Sequence, residues 1–438
     1  MKVLPVQKVE QNADKIKSAG NNPFPSRKIL ATLHSLNYGM ISIEKIKQLS
    51  KDMKEEVIAI RRHLHAHPEL SFQEKETSAY ISARLTAWNI EHLKGIAGTG
   101  IVALIKGKNP DKKVIALRAD MDALPITEKN EVDYRSQNIG VMHACGHDVH
   151  SSSLLGTAKM LAELRDEFEG TIKLIFQPGE EKLPGGASLM IKEGVLENPV
   201  PEFILAQHVF TQLPVGKAGF FAGKYMASSD EIYISVKGKG GHAAVPSGVI
   251  NPLYPAARLL TLLEDVSKEF ANAVVPTVLA FGKITGPGAT NVIPDEVKIE
   301  GTFRTMDEKW RFEAHNRLRN TITLFSKNSG IDIELEIRIG YPCLINNEEV
   351  TRSSISAASE YLGEANVVPL GIWMASEDFA FYSQKVPACF YRIGTGNPEK
   401  NIVSPVHTAT FSVDEDALEI SSGLMAWITL QLMRKQEG

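Results

Sequence analysis

Short apolar runs that end in acidic or histidine residues are the feature that most constrains the fold of this chain. Two such runs, Val114–Arg118 and Thr171–Gln177, have the length and the branched apolar side chains of buried strands. A third run, Phe203–Ala206, leads into His208. Open α/β sheets place their ligands and catalytic groups outside the carboxyl ends of the strands. The pattern therefore predicts an α/β fold with a mixed sheet and a polar site at one edge of that sheet.

Pairs of carboxylates follow the first two runs. Asp120 and Asp122 come after the first, and Glu180 and Glu181 follow the second across a Pro-Gly turn. For the aspartates, a solvated turn with a local backbone hydrogen bond is an equally supported alternative. Adjacent glutamates at a strand end cannot both point the same way. One of them could bind a metal ion while its neighbour remains free to move protons.

The nine residues Met142–His150 concentrate side chains that bind transition metals. They contain three histidines, an aspartate and a cysteine, and Gly146 separates Cys145 from His147. In an extended or tightly turned backbone, such alternate residues can aim at one point once glycine frees the local φ and ψ. A thiolate with an imidazole suits Zn²⁺ and similar metals. The alternative is a buried cysteine among hydrogen-bonded histidines, and the acids and histidines downstream make it the weaker interpretation.

Composition excludes several classes of protein. The chain has 438 residues, 43% of them hydrophobic, and a formal net charge of −4, which is ordinary for a globular protein of two or more domains. Three cysteines are too few for a disulfide framework and fit a reducing compartment. No basic tract predicts nucleic-acid binding, and no apolar run reaches the roughly 20 residues that span a bilayer. The N-terminal stretch lacks the apolar core of a secretory signal, so we expect a cytoplasmic protein.

The middle of the chain has a different character and predicts a second domain. Its strand and helix patterns follow the order β-α-β-β-α-β, which is that of a ferredoxin-like fold. Apolar residues at spacings of three and four predict helices on either side of it, including Ile43–His65 and Ser152–Leu164. We predict four segments: an N-terminal extension (1–40), a first part of the catalytic α/β domain (41–216), an inserted ferredoxin-like α+β satellite domain (217–338) and a second part of the catalytic domain (339–438).

Seven segments resemble the motifs of one enzyme clan. In chain order they are RRHLHAHPELSFQE, LRADMDALPI, MHACGHDVH, FQPGEE, GHAAVP, TNVIPDEV and ASEDFAFY. In this order they are similar to the M20 metallopeptidase clan, and the motif with cysteine resembles its amidohydrolase branch. That branch includes N-acyl-amino-acid amidohydrolases, hippurate hydrolases and plant auxin-conjugate hydrolases. The resemblance extends from about Ile43 to the C-terminus.

The resemblance implies a site for two divalent metal ions. By motif position, the metal ligands fall on Cys145, His147, Glu181, His208 and His407. Glu180 falls on the general base. Asp122 falls on the residue that orients a metal ligand, and Asp120 stands where most of the clan has a histidine ligand, so we do not include it in the ligand set.

The resemblance also implies substrate contacts from the satellite domain. These fall on His242, Asn291 and Arg304, with His242 delivered by a partner subunit in a homodimer formed through that domain. His242 would stabilise the oxyanion of the tetrahedral intermediate. An arginine with an amide nearby suits a substrate carboxylate. For Arg304, a surface salt bridge is the open alternative.

These residues predict metal-dependent hydrolysis of an amide bond. Two metal ions about 3.5–4 Å apart can activate water and clamp the attacking and leaving oxygens. Five such ligands are too many for one tetrahedral ion, and Cys145 as a thiolate could bridge two. The thiolate favours Zn²⁺, although Mn²⁺, Ni²⁺ or Co²⁺ could serve. We expect a small-molecule amidohydrolase that cleaves N-acyl-amino acids. The alternatives are a dipeptidase or carboxypeptidase of the same clan and, from a different class, a metal-binding protein without hydrolase activity.

Overall fold

A computed structural model of the protein describes residues 41–245 and 247–434. The predicted N-terminal extension, residues 1–40, lies outside these ranges. The helices are α1 (Ile43–Ala66), α2 (Lys75–Ala87), α3 (His147–Glu163), α4 (Gly186–Lys192), α5 (Leu253–Ala271), α6 (Glu308–Ser329), α7 (Glu348–Leu362), α8 (Ala380–Ser383) and α9 (Asp416–Arg434). The strands are β1 (Glu91–Ile96), β2 (Gly100–Lys106), β3 (Val114–Asp120), β4 (Thr171–Gln177), β5 (Phe203–Pro214), β6 (Ala218–Phe220), β7 (Gly223–Met226), β8 (Asp230–Lys237), β9 (Gly241–His242), β10 (Thr277–Thr285), β11 (Val292–Ile293), β12 (Glu296–Thr305), β13 (Asp332–Ile339), β14 (Leu344–Asn346), β15 (Val367–Pro369) and β16 (Ala388–Gly396). Among the helices of the described ranges, none has both the length and the apolar character required to cross a lipid bilayer.

A mixed sheet of eight strands forms the larger part of the structure. Its order is β1-β2-β4-β3-β5-β16-β6-β15, and β4, β3, β5 and β16 are parallel in its centre. The pairs β1-β2, β2-β4 and β16-β6 are antiparallel, and the outermost pair β6-β15 is parallel. Because β3 and β4 are buried along their whole length, their sequences are apolar without alternation. The mixed α/β fold is therefore confirmed.

Helices α1, α3 and α9 pack on one face of this sheet and on one another. Helix α1 begins at the predicted residue because the hydroxyl of Ser42 accepts a hydrogen bond from the backbone N–H of Lys45, which caps the first turn. Its buried stripe includes Ile46, Met53 and Val57, as the spacing predicts. The predicted end at His65 is one residue short of the observed end.

Helix α3 begins at His147, five residues before the predicted start at Ser152. The usual N-cap side chain is missing, since the cap position is Gly146 in the left-handed region with φ of 83°. A Cβ atom on this glycine would lie 2.6 Å from Cγ2 of Val209, so glycine is also required for the close approach to β5. The motif around Cys145 therefore forms the N-terminal turn of a buried helix.

Strand β5 is longer than predicted. It continues past Ala206 to Pro214 because its second half pairs with β16, opposite residues Tyr391–Gly394 and Gly396. The neighbouring strand β3 pairs with β5 only as far as Ala206, so His208 still lies beyond the paired end of β3. The prediction that the strand ends at His208 was wrong. His208 nevertheless lies at the carboxyl edge of the large sheet, because the neighbouring strand β3 ends earlier than β5.

A separate antiparallel sheet has the strand order β10-β12-β8-β13. Along the chain, its elements follow the sequence β8, α5, β10, β12, α6 and β13. Alternate residues of β8, including Ile232, Ile234 and Val236, pack with α5 and α6 in a core that is distinct from the core under the large sheet. The residues from Ile41 onward nevertheless form one compact unit, and a cleft lies between the two sheets.

Candidate metal centre

Two groups of metal-binding side chains meet at the carboxyl edge of the large sheet, and they share one cysteine. In each group, one ligand atom from every residue lies within 4.8 Å of the others. The first group is Cys145, His147 and His208, and the second is Cys145, Glu181 and His407. The structure thus brings together all five side chains predicted to be ligands, with the cysteine between the two groups.

His407 reaches this centre from a loop that is far away in sequence. Its backbone N–H donates to the carbonyl oxygen of Ala144 at 2.7 Å, which fixes the loop beside Cys145. The residue has a φ of 64°, a conformation that non-glycine residues adopt infrequently. Its Nε2 atom lies 3.1 Å from Oε1 of Glu181. This backbone conformation places the imidazole next to Cys145 and Glu181.

Hydrogen bonds orient the two buried histidines of the first group. Nδ1 of His208 donates to the carbonyl oxygen of Val209 at 2.8 Å, which leaves the lone pair on Nε2, 3.4 Å from Sγ of Cys145. Nδ1 of His147 lies 3.2 Å from a carboxylate oxygen of Asp122. In both rings, the nitrogen that faces the centre is the one left free to bind a cation.

Asp122 connects the ligands to one another. Its carboxylate accepts hydrogen bonds from Ser71 Oγ at 2.6 Å and from the backbone N–H groups of Glu180 and Glu181 at 3.0 Å each, besides its contact with His147. Burial would raise the pKa of Asp122, but these bonds hold it below its usual range. Asp122 is thus an ionised acceptor that positions both the His147 ring and the start of the Glu180–Glu181 turn.

The donor set fits divalent cations. Nε2 of His147 is buried and has no hydrogen-bond partner among the described residues, which is unfavourable unless a cation binds there. Hydrogen bonds to Cys145 and Glu181 raise the pKa of His407 to about 10, and the same anionic neighbours would attract a metal ion. Burial and the charge of Glu181 raise the pKa of the Cys145 thiol, so a thiolate at this place needs a cation beside it.

Glu180 lies next to the centre without belonging to either group that contains Cys145. Its side chain is buried, and Oε1 accepts a hydrogen bond from the backbone N–H of Asp378 at 3.3 Å. Burial, followed by the charges of Glu377 and Glu181, raises its pKa well above the usual range. A carboxyl group with a raised pKa beside a metal site can both accept and return a proton near neutral pH.

Sequence reasoning missed the buried charge cluster behind Glu180. The guanidinium of Arg118 bonds Asp120 at 2.6 Å, Asp378 at 2.8 Å and Glu377 at 3.0 Å. The signal was available, because Glu377 and Asp378 belong to the ASEDFAFY segment and Arg118 lies in an otherwise apolar strand. Asp120 also accepts a hydrogen bond from Nδ1 of His150 at 2.6 Å, and its carboxylate lies close enough to His147 and His150 to form a further group that could hold a metal ion.

The histidines of the RRHLHAHPELSFQE segment lie apart from the metal centre. His65 is buried and bonds Asp148 at 2.8 Å and Glu128 at 3.1 Å, which is a structural network. His63 and His67 lie one turn apart on the same face of the helix end, with ring centroids 4.6 Å apart. These two histidines share a face because an interval of four residues is close to one helical turn.

The predicted substrate contacts divide into two places. Arg304 lines the cleft of about 1220 Å³ that also contains Cys145, and its Nη1 donates to Ser376 Oγ at 3.2 Å. His242 and Asn291 are exposed and lie beside each other, where β9 pairs with β11 and Ala243 N–H donates to the carbonyl oxygen of Asn291. Neither lines the cleft of the described chain.

Comparisons with known proteins agree with this centre. Residues 116–429 match the model of a protein family described as "Peptidase family M20/M25/M40". The chain is 40% identical over 306 residues to the N-acyl-L-amino acid amidohydrolase of Geobacillus stearothermophilus, which covers 70% of this chain and 82% of that protein. It is 34% identical over 396 residues to thermostable carboxypeptidase 2 of Saccharolobus solfataricus, covering 90% and 99%. The crystal structure of the Bacillus subtilis YXEP protein, described as a dinuclear metal binding peptidase from the M20 family, superposes with a TM-score of 0.73 at 33% identity and covers 88% of this chain and 100% of that one.

These matches confirm the resemblance inferred from the seven segments, including the amidohydrolase branch, and the prediction of a metal-dependent enzyme that acts on amide bonds. The match to the family model covers well over half of the chain, from β3 to α9. The chain therefore belongs to peptidase family M20/M25/M40.

Proposed function

We propose that this protein hydrolyses the amide bond of N-acyl-amino acids at a centre of two divalent metal ions. The observation that carries the proposal is the sharing of Cys145 by two groups of ligand side chains, one with His147 and His208 and one with Glu181 and His407. Two three-ligand sites with a common thiolate leave open positions for water and substrate. We favour Zn²⁺ because of the thiolate, with Mn²⁺, Ni²⁺ or Co²⁺ as alternatives.

In this proposal, Glu180 moves the proton. Metal ions bound at the centre would make water nucleophilic and polarise the substrate carbonyl. The carboxylate of Glu180 accepts a proton as the water oxygen attacks the amide carbon. It then returns that proton to the amine nitrogen as the carbon–nitrogen bond breaks. Acid–base help of this kind contributes roughly 10²- to 10⁴-fold in rate.

The other residues orient ligands and substrate. Asp122 holds the His147 ring and the backbone of Glu180, so both keep their places relative to one another. Arg304 lines the cleft, and its positively charged guanidinium has no acidic partner among the described residues. We assign this guanidinium to binding of the α-carboxylate of the substrate. His242 and Asn291 would reach this cleft from the second subunit of a homodimer, where His242 would stabilise the oxyanion of the tetrahedral intermediate.

We further propose the domain division 41–216, 217–338 and 339–438, with the central segment as a ferredoxin-like satellite domain. Its support is the antiparallel sheet β10-β12-β8-β13 with two helices and a core of its own. In this division Arg304, on β12, contributes to the centre from the satellite domain, while the metal ligands all come from the large α/β domain.

A carboxypeptidase is the second candidate. It is favoured by the match to thermostable carboxypeptidase 2, which extends over 99% of that protein. Both reactions release an amino acid with a free carboxylate, and they differ in what precedes the amide bond. Assays of acetyl- and benzoyl-amino acids against unblocked dipeptides and longer peptides separate the two.

Glu180→Gln tests the proton transfer. The amide side chain keeps the shape of glutamate but cannot accept a proton, so we expect turnover to fall at least about 10²-fold while two metal ions remain bound. Glu313→Gln, an exposed site on α6, is the control for a change of charge alone. Retained turnover in the Glu180 variant, measured with its metal content, would reject the role of Glu180.

A further inference from the structure

Arg392 is a buried cation that has no acidic partner among the residues the structure describes. It lies on β16 opposite His208 of β5, is 1% exposed and lines the same cleft as the metal centre. Its Nε donates to the hydroxyl of Tyr225 at 3.1 Å, and its Nη2 lies 3.4 Å from Sδ of Met226. Its Nη1 has no hydrogen-bond partner among the described residues. One side of the guanidinium is therefore left to bind something else.

The other buried arginines of the described chain are neutralised. Arg61 pairs with Asp148 at 2.8 Å, Arg118 with Asp120 at 2.6 Å, and Arg311 with Asp230. Arg392 has no comparable contact with a carboxylate among the described residues. Burying an arginine without a counter-ion is strongly unfavourable, and the other three sites follow that rule.

Aromatic rings hold the Arg392 side chain in place but leave its charge uncompensated. Its guanidinium carbon lies 4.3 Å from the ring centroid of Trp373 and 5.1 Å from that of Phe390. Cation–π contacts of this kind stabilise a guanidinium less than a charge-assisted hydrogen bond to a carboxylate does. The rings fix the plane of the guanidinium, so its unpaired Nη1, which is itself buried, is held in one orientation beside the cleft.

Arg304 and Arg392 contact the same short segment of the cleft wall. Arg392 stacks on Trp373, and Nη1 of Arg304 donates to the carbonyl oxygen of Met374 at 3.4 Å and to Ser376 Oγ at 3.2 Å. Both arginines line the cleft, and neither has an acidic partner among the described residues. A substrate with one carboxylate would neutralise only one of them.

We propose that the preferred substrate carries two carboxylates, with the α-carboxylate at Arg304 and a second carboxylate at Arg392. This inference rests on the proposed function and adds a substrate class to it. The second carboxylate belongs either to an acidic amino-acid side chain or to a dicarboxylic acyl group. In both cases the unpaired Nη1 of the guanidinium would donate a charge-assisted hydrogen bond to that carboxylate.

Matched substrate pairs test the inference on the metal-loaded enzyme. The first pair is N-acetyl-L-glutamate and N-acetyl-L-glutamine, and the second is N-succinyl-L-alanine and N-butyryl-L-alanine. We expect kcat/KM to favour the dianionic member of one pair by about 10- to 100-fold, and the favoured pair identifies the source of the second carboxylate. Arg392→Gln is expected to bring that ratio close to one through KM, whereas Arg392→Lys retains part of it. Arg317→Gln, an exposed site on α6, is expected to leave the ratio unchanged.

Metal content and unfolding temperature are measured for each variant, so that loss of the centre or of the fold is detected. If Arg392→Gln does not fold, the variant is replaced by an assay of competitive inhibition of the unmodified enzyme by glutarate and by butyrate. Glutarate is expected to bind at least about tenfold more tightly than butyrate. Hydrolysis of all four substrates without preference for either dianion would overturn the inference and leave the proposed function intact. Failure to hydrolyse any of them would overturn the proposed function, and the inference with it. An equal fall on all four substrates in Arg392→Gln would assign Arg392 to support of His208 instead.

Discussion

Arg118→Met is expected to destabilise the fold by removing the cation of a buried acidic cluster. The side chain of Arg118 bonds Asp120, Glu377 and Asp378 at 2.6–3.0 Å, and it also donates to the amide oxygen of Gln177 at 2.9 Å. Methionine has a similar length and leaves little cavity. The loss therefore comes mainly from three buried carboxyl groups that lose the cation they share.

Breaking a buried ion pair by removing one partner costs about 3–5 kcal/mol. Unfolding entropy is about 2.1 cal/mol/K per residue, which gives roughly 0.8 kcal/mol/K for the about 390 described residues. The expected fall in unfolding temperature is therefore about 4–6 °C. It is measured by circular dichroism on chelator-treated protein, so that a change in metal binding does not contribute.

The control is Arg317→Met on α6, where the arginine pairs with Glu313 and Glu269 at the surface. Exposed ion pairs contribute little, and we expect no resolvable shift for this variant. If Arg118→Met unfolds at the same temperature as Arg317→Met, the acidic cluster does not depend on Arg118 and the reasoning is refuted.

Two further predictions concern the support of the metal centre. Asp122→Asn weakens the orientation of His147 and is expected to lower metal affinity about 10- to 100-fold; equal affinity by competition with a chelator would contradict it. Gly186→Ala places a Cβ atom 1.6 Å from the carbonyl oxygen of Pro178, so the turn that carries Glu180 must move and hydrolytic activity should fall sharply. Gly371→Ala, whose Cβ atom meets no other atom within 4 Å, is the control and should retain activity. Similar activities of the two variants would show that the turn tolerates the displacement.

Much of the large sheet and all five ligand candidates could be predicted from sequence. The ends of β3 and β4 are set by apolar runs that stop at polar residues, and a short run of that kind has few alternatives to a buried strand. Strand β5 was harder, because its second half is stabilised by pairing with β16, and no local signal in the sequence reports that partner. Helix α3 was predicted too short, since its first turn has glycine where a capping side chain is usual.

The buried arginines of the site could not be recognised from local pattern. Arg118 and Arg392 each interrupt an apolar strand, and a lone arginine in a strand is equally typical of an exposed edge. Their roles depend on groups that come from distant segments, such as Glu377 and Asp378 for Arg118 and Trp373 for Arg392. Tertiary structure alone distinguishes a neutralised cation from one that lacks a counter-ion.

The number of metal ions per chain, measured by elemental analysis for the unmodified protein and for Cys145→Ala side by side, tests the shared cysteine most directly. After reconstitution and removal of excess metal, we expect two ions per chain in the unmodified protein and at most one in the variant. One ion or none in the unmodified protein, or two ions retained without the Cys145 thiolate, would contradict a centre in which this residue joins two metal sites.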